Sequence, residues 1–536
     1  MTHSADRLFI SRVSSRTLPP PGNLRALRRA VAEHPSGAML ESLCDHFSFA
    51  RYSIFAWDAV SLHVVPPDAD QDPFFAIANL CRPWSSISAE PLQCDVQPRA
   101  SRRAAGFATS RGLHARGAAQ TPAPQTTPRP ACLPFFGGWI GYLAYEAGRY
   151  VEPTAGWRSH PAPLPVSHWA LFDTVLIHDR LLDAWHAAGL TLPPRLCPTD
   201  RPPLESRLDA VEQFLSALPL DEPPMLTVSH ESSPGLPNLA PDEYFAAVRR
   251  ILDYIRAGDV YQVNLARRLR FENSRPPIET YLRLCRSNPA SHAAFINIQD
   301  PRGDAPPAAI LSSSPELFLS VLGRGVLTRP IKGTRPRGPT PSADLAAEQA
   351  LAASEKDRAE LNMIIDLERN DLGRVCRFGS VRVVSPGRIE RLPTVHHRAA
   401  TVTGSLRDDA DALDLLRAAF PGGSITGAPK VRAMQIINEL EPDPRGPYCG
   451  AIGYIALSGD VQLNLAIRTL TVTERGIDLH VGSGIVADSA PEEEFAELQA
   501  KAAGMIAAVQ LSHCEHIPGD DGQSDLLHAA AESCHA

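Results

Sequence analysis

Cysteine is sparse in this chain, ten residues in 536, and no two of them form a Cys-x-x-Cys pair. That excludes a disulfide scaffold and the paired-thiolate zinc motifs, and leaves reduced thiols of the kind found in a cytoplasmic protein. Long apolar runs are missing too. No stretch approaches the roughly 18 residues that would cross a bilayer, and Met1 to Val13 has no basic cluster leading into an apolar run, so neither export nor a membrane anchor is expected. Positive charge is not in excess. Lys and Arg number 52 against 60 Asp and Glu, a formal charge of −8, with the basic residues scattered, so nucleic acid is not an expected partner. Self-similarity at the periods of about 20 to 50 residues that mark solenoids is not visible.

What is present is an enzyme-sized globular chain, 44% apolar and 21% charged. From about residue 24 to 65 apolar and polar residues alternate, as in "MLESLCDHFSFARYSIFAWDAVSLHVV", which predicts strands. Residues 96–130 carry six Arg, no acid and much Ala, Pro and Thr without periodicity, and read as a flexible insertion. A Pro-rich stretch from 191 to 241, broken by a helical pattern over Leu204 to Leu218, closes an amino-terminal domain of residues 1–235. A second domain runs from 240 to 512, opening with the helix "DEYFAAVRRILDYIR", started by Pro241-Asp242 and stopped by Gly258. Residues 513–536 read as a disordered tail.

Two acidic patterns stand out in the second domain. "DSAPEEEFAELQAKA" puts Glu494, Glu497 and Lys501 on one helix face, and "SEKDRAELNMIIDLERND" puts Asp357 and Glu360 on another. Hard oxygen ligands on two helices suit Mg2+, although solvated helix faces often look the same. The loop "FPGGSITGAPK", Phe420 to Lys430, leads into a helix whose start either favours an anion or simply turns the chain. "LHVGSGIVADSA" offers Gly482, Gly484 and Ala487 as G-x-G-x-x-A, but Asp488, Ser489 and Pro491 interpose a turn, which argues against a dinucleotide fingerprint. Its glycines still let backbone amides approach a carboxylate. Lys332 in "TRPIKGTRPRG" reads as an exposed lysine or as a nucleophile, which must be unprotonated to act. His397 in "LPTVHHRAATVTG" reads as a proton donor or a structural histidine.

From about Asp242 to Gln510 the sequence resembles the chorismate-binding family. The likeness rests on "IRAGDVYQVNLARR", "SSSPELF", "RPIKGT", "KDRAELNMIIDLERNDLGRV", "FPGGSITGAPKVRAMQII", "RGPYCGAIGY", "NLAIRTL", "GSGIVADS" and "EEEFAELQAKA". The amino-terminal part matches more loosely, through "MLES", "RYS" and "PFFGGWIGYLAYE". The resemblance implies an α+β fold: two large, mainly antiparallel sheets packed face to face, helices outside, and the active site in the central cleft.

It also implies roles. Glu360 and Glu497 would be the main Mg2+ ligands, with Asp357 and Glu494 behind them. Tyr448, Arg468, Lys501, Ser424, Thr426 and the backbone at Gly482 and Gly484 would hold chorismate. Lys332 would be the nucleophile, Glu316 the general acid and base, and His397 its helper. Isochorismate and salicylate branches use a lysine where this chain has Gln262, which disfavours water attack at C2. The anthranilate branch reads Pro-Ile-Ala-Gly where this chain has Pro330, Ile331, Lys332 and Gly333, so the resemblance implies the branch that aminates chorismate at C4 with ammonia, for p-aminobenzoate and folate. The alternative is conversion of chorismate to anthranilate and pyruvate. No Gly-x-Cys-x-Gly elbow is present, so ammonia from glutamine would come from a separate glutaminase subunit. Glu41, Ser42, Arg51 and Ser53 correspond to the tryptophan pocket of relatives.

Overall fold

The computed structural model describes residues 12–44, 50–67, 69–81, 133–158, 162–194, 196–221, 234–273, 275–299, 308–392 and 395–510. The expected insertion at 96–130 and the tail at 513–536 lie outside the described residues. Strands gather into a twelve-stranded and a ten-stranded sheet, and their ladders are antiparallel. Apolar side chains of both sheets meet in shared cores. Phe55 and Leu176 of the larger sheet cluster with Trp139, Leu143 and Trp169 of the smaller, and Ile54 and Ile177 with Ile140 and Tyr454. This is the face-to-face α+β arrangement expected from the sequence.

Each sheet draws strands from both ends of the chain. In the larger, Ala38–Glu41 pairs with His292–Ile298. In the smaller, Gly138–Leu143 pairs with Ala451–Ala456.

Helices flank the sheets, and local signals account for their starts. Pro241–Arg256 begins on a proline, with the Glu243 carboxylate accepting from the Ala240 N–H at 2.7 Å, and it buries Tyr244, Ala247, Val248, Ile251 and Leu252 along one face. Glu355–Gly373 begins where the Ser354 hydroxyl accepts from the Asp357 N–H at 3.2 Å. Pro491–Gln510 follows the turn after strand Gly476–Ile485, so a turn does separate the glycines from the helix. Among the described residues no helix is long and apolar enough to cross a membrane.

Candidate active site

Four segments converge at one end of the paired sheets. Strand Gln262–Phe271 runs beside Gly476–Ile485 with Asn264 opposite Gly484 and Ala266 opposite Gly482. On its other side, Gln262 and Val263 pair with Ala428 and Gly427 of the glycine-rich loop. Strand Ile331–Pro336 brings Lys332 from the smaller sheet, with Thr334 opposite His397. Lys332 Nζ lies 3.7 Å from Glu360 Oε2, and a Cβ on Gly484 would lie 3.2 Å from both Lys332 Nζ and the Gln262 amide. Residues more than 200 positions apart in sequence thus surround one lysine.

Glu360 reaches it because the helix Glu355–Gly373 crosses Gly333 at close range. Gly333 has φ +85°, and a Cβ there would sit 2.8 Å from Asp357 Cγ. The "IKG" triplet is therefore a lysine followed by the only residue that lets the helix pass.

The four carboxylates separate into two kinds. Glu494 turns inward, its side chain 3% exposed, and accepts from Ser483 and from Ser489 Oγ at 2.6 Å, with Lys356 Nζ at 3.5 Å. Asp357 accepts from Arg335 at 3.1 Å. Glu360 and Glu497 instead face the lysines: Glu497 pairs with Lys501 at 2.7 Å, half-exposed on both sides. Burial raises the Glu360 pKa, opposed by Lys332 and Lys356 and reinforced by Glu497 and Asp357. Burial acts the same way on Glu497, but Lys501, Lys356 and Lys332 outweigh it and bring that pKa down.

Among the described residues no three acids, histidines or cysteines come together tightly enough to hold a metal by themselves. Two mutually repelling carboxylates with oxygen donors only are nevertheless what Mg2+ accepts, since it completes its shell from water and substrate. The donor set fits that ion.

Glu316, 5% exposed, accepts from Ser424 Oγ at 2.8 Å. Burial pushes its carboxyl up to about 7, against the opposing pull of Ser424, Lys332 and Arg468. A carboxyl poised there can give and take a proton near neutral pH. His397 meets a different environment from that of a histidine titrating near neutrality. Burial, with Arg468 and Arg329 nearby, drives it down to about 3, so the ring is neutral, and Nδ1 lies 2.8 Å from Thr334 Oγ1. It can offer a hydrogen bond but carries no proton to spare.

Arg468 sits at φ +49°, a strained backbone for a non-glycine residue, and desolvation lowers its pKa although Glu316 is near. Such a guanidinium is short of negative charge and suited to a carboxylate. The Tyr448 hydroxyl lies against Gly482, where a Cβ would be 2.8 Å from it, and its ring stacks on His480 at 5.4 Å. Lys501 Nζ donates to Gly482 O at 3.3 Å. Thr426 spends its hydroxyl on Gly422 O at 2.9 Å and so serves the loop itself.

Away from this cleft, a cavity of about 390 Å3 between the sheets is lined by Glu41, Arg51, Tyr52 and Tyr454. Glu41 is gripped by Arg28 and by the Tyr281 hydroxyl at 2.9 Å, and Arg51 by Asp179. Ser42 and Ser53 are buried beside it and bond to each other through the Ser42 N–H.

Residues 82–507 match the family profile described as chorismate binding enzyme. This chain belongs to that family. Among its relatives, anthranilate synthase component 1 of Streptomyces coelicolor is 36% identical over 91% of this chain and 96% of its own length. Aminodeoxychorismate synthase component 1 of Escherichia coli is 41% identical over 68% of this chain and 75% of its own. The structure of anthranilate synthase component I from Streptococcus pneumoniae superposes with a TM-score of 0.64 at 27% identity, covering 85% of this chain and 92% of that one. Sequence reasoning passed over Ser483, Ser489 and Lys356, which hold Glu494 in place, and Asn264, whose side chain lies beside Gly482. The alternation Gln262-x-Asn264 around apolar Val263 and Leu265 at the start of that strand was the available signal for the last.

Proposed function

We propose that this chain aminates chorismate at C4 to 4-amino-4-deoxychorismate, for p-aminobenzoate and folate, as component 1 of a two-component aminodeoxychorismate synthase whose partner is a glutaminase. The observation that carries this reading is Lys332, set beside the glycine strand with Glu360 at 3.7 Å and close enough to Glu316 to draw that carboxyl's pKa down. The relatives include proteins named for either reaction, so the lysine is what tips the choice.

In the first step the Lys332 amine attacks C2, the ring double bonds shift, and the C4 hydroxyl leaves as water with a proton from Glu316. In the second, ammonia attacks C4, the double bonds shift back and the lysine departs as a free amine. Glu316 takes the extra proton from the new ammonium, which restores both groups. The sum is chorismate plus ammonia giving the 4-amino product plus water, with one hard displacement replaced by two easier ones. Arg468, Tyr448, Lys501 and the backbone at Gly482 hold the two carboxylates and so turn binding into orientation. Held by Glu360 and Glu497, with Asp357 and Glu494 behind them, Mg2+ would neutralise the ring carboxylate. The cavity beside Glu41 and Arg51 would take a small amphiphilic ligand, tryptophan by resemblance.

Anthranilate synthesis is the second reading, favoured by the nearly full-length match to the Streptomyces relative. Mass spectrometry of products from chorismate, Mg2+ and ammonium separates the two. The 4-amino product from wild type and none from Lys332→Ala is expected, whereas anthranilate with pyruvate overturns the assignment.

A further inference from the structure

Gln262 and Asn264, two residues apart on one strand, present their side chains on the same face, over Gly482 and Gly484 of the neighbouring strand. Asn264 is 6% exposed, and its Nδ2 is buried without a hydrogen-bond partner. A buried amide donor left unsatisfied is costly, and native proteins seldom keep one without a use. Its surroundings are rigid. The Asn264 N–H donates to Thr426 O at 2.8 Å, and its carbonyl accepts from Arg445 at 2.7 Å. Arg445 is itself clamped by both oxygens of Glu441 at 2.6 and 2.8 Å. The backbone that carries the amide is therefore held on both sides.

It points at a particular place. An ideal Cβ on Gly482 would lie 3.0 Å from Asn264 Nδ2 and 2.8 Å from the Tyr448 hydroxyl, so the two polar groups flank the same bare backbone. Lys501 Nζ, bonded to Gly482 O, adds positive charge at that spot.

We propose that Asn264 is a substrate-binding residue whose side-chain amide, together with the Tyr448 hydroxyl, holds one carboxylate of chorismate over Gly482. The proposal rests on the reading of the cleft as a chorismate site, but not on which product is made. Two donors converge there beside a cation, which selects an anionic oxygen over a hydroxyl. A missing Cβ supplies the room.

The test compares wild type with Asn264→Leu and Asn264→Asp in the full chain, by calorimetric titration of chorismate with Mg2+ present and by thermal melting without it. Asn264→Leu removes an unsatisfied donor, so its melting temperature is expected to match or exceed that of wild type while chorismate affinity falls about ten- to a hundredfold. Asn264→Asp sets a negative charge against the carboxylate and is expected to bind more weakly still. Should leucine disturb the sheet, Asn264→Ala carries the same comparison. A lower melting temperature with unchanged affinity marks a structural asparagine and overturns the proposal. Aspartate that binds as well as wild type overturns it too, because the group held would then be a hydroxyl. Wild type that fails to bind chorismate sinks the reading of the cleft itself, an outcome separate from equal binding by wild type and Asn264→Leu.

Discussion

Glu316→Gln separates what this carboxyl does for chemistry from what it costs the fold. The side chain is buried, and its pKa stands at about 7 against an ordinary value of 4.5. A folded state that holds the proton more tightly than the unfolded chain is favoured at low pH and loses stability as pH rises from 4.5 to 7. Above 7 the full cost applies. At about 1.4 kcal/mol per pH unit this is roughly 3 kcal/mol, already net of the help from Lys332, Arg468 and Ser424. Glutamine keeps the shape and an oxygen for Ser424 to bond, but never ionises. The variant is therefore expected to melt close to wild type near pH 5 and about 3 °C higher at pH 8, a shift scaled from the unfolding entropy of a chain this long. Amination should be abolished at both. Melting curves at half-unit intervals from pH 5 to 8.5 provide the assay. A melting difference that stays constant across that range would refute the raised pKa, and retained turnover would refute the proton-transfer role.

Gly333→Ala should lose about 1–3 kcal/mol in urea unfolding, because φ +85° and a contact of 2.8 Å with Asp357 force the helix carrying Glu360 outward; unchanged stability would show that the helix gives way freely. Glu360→Gln should raise the Mg2+ concentration needed for half-maximal turnover, and chelation of the ion should stop wild type altogether, both readable from product formation against free Mg2+. Arg445→Met strands the buried Glu441 carboxylate and should cost about 3–5 kcal/mol, much of it recovered in the Glu441→Leu double variant; additive losses in denaturant titrations would count against the pair.

Much of this was legible in the sequence where local periodicity decides the outcome. The helix at Pro241–Arg256 and the strands Ala38–Glu41, Tyr52–Ala56 and Ser61–Val65 lie where apolar spacing puts them, but the start of the stretch read as strands, Leu24–Glu33, is a helix, begun where the Asn23 side chain accepts from the Arg25 and Ala26 N–H groups. The acidic helices were also readable, but not how their carboxylates divide. Spacing places Glu494, Glu497 and Lys501 on one face, yet packing turns Glu494 onto Ser483 and Ser489 while Glu497 stays at the mouth. That depends on the strand beside the helix, which one-dimensional periodicity does not contain. The neutrality of His397 was hidden for the same reason: it comes from burial beside Arg468 and Arg329, and both are neighbours only in space. Asn264 differs, since its signal was a polar alternation inside a strand, hidden because the flanking residues read simply as core.

The interleaving of the two sheets bears on how such a chain comes to be folded at all. Ala38–Glu41 keeps one edge open until His292–Ile298 emerges, and Gly138–Leu143 waits for Ala451–Ala456, more than 300 residues later. During synthesis the first third of the polypeptide must therefore wait with open strand edges, a hazard for self-association, until nearly the last strand has emerged. A nascent chain released early would be not a smaller enzyme but an unfinished pair of sheets, and timing of translation and chaperone cover become part of what this architecture demands of the cell.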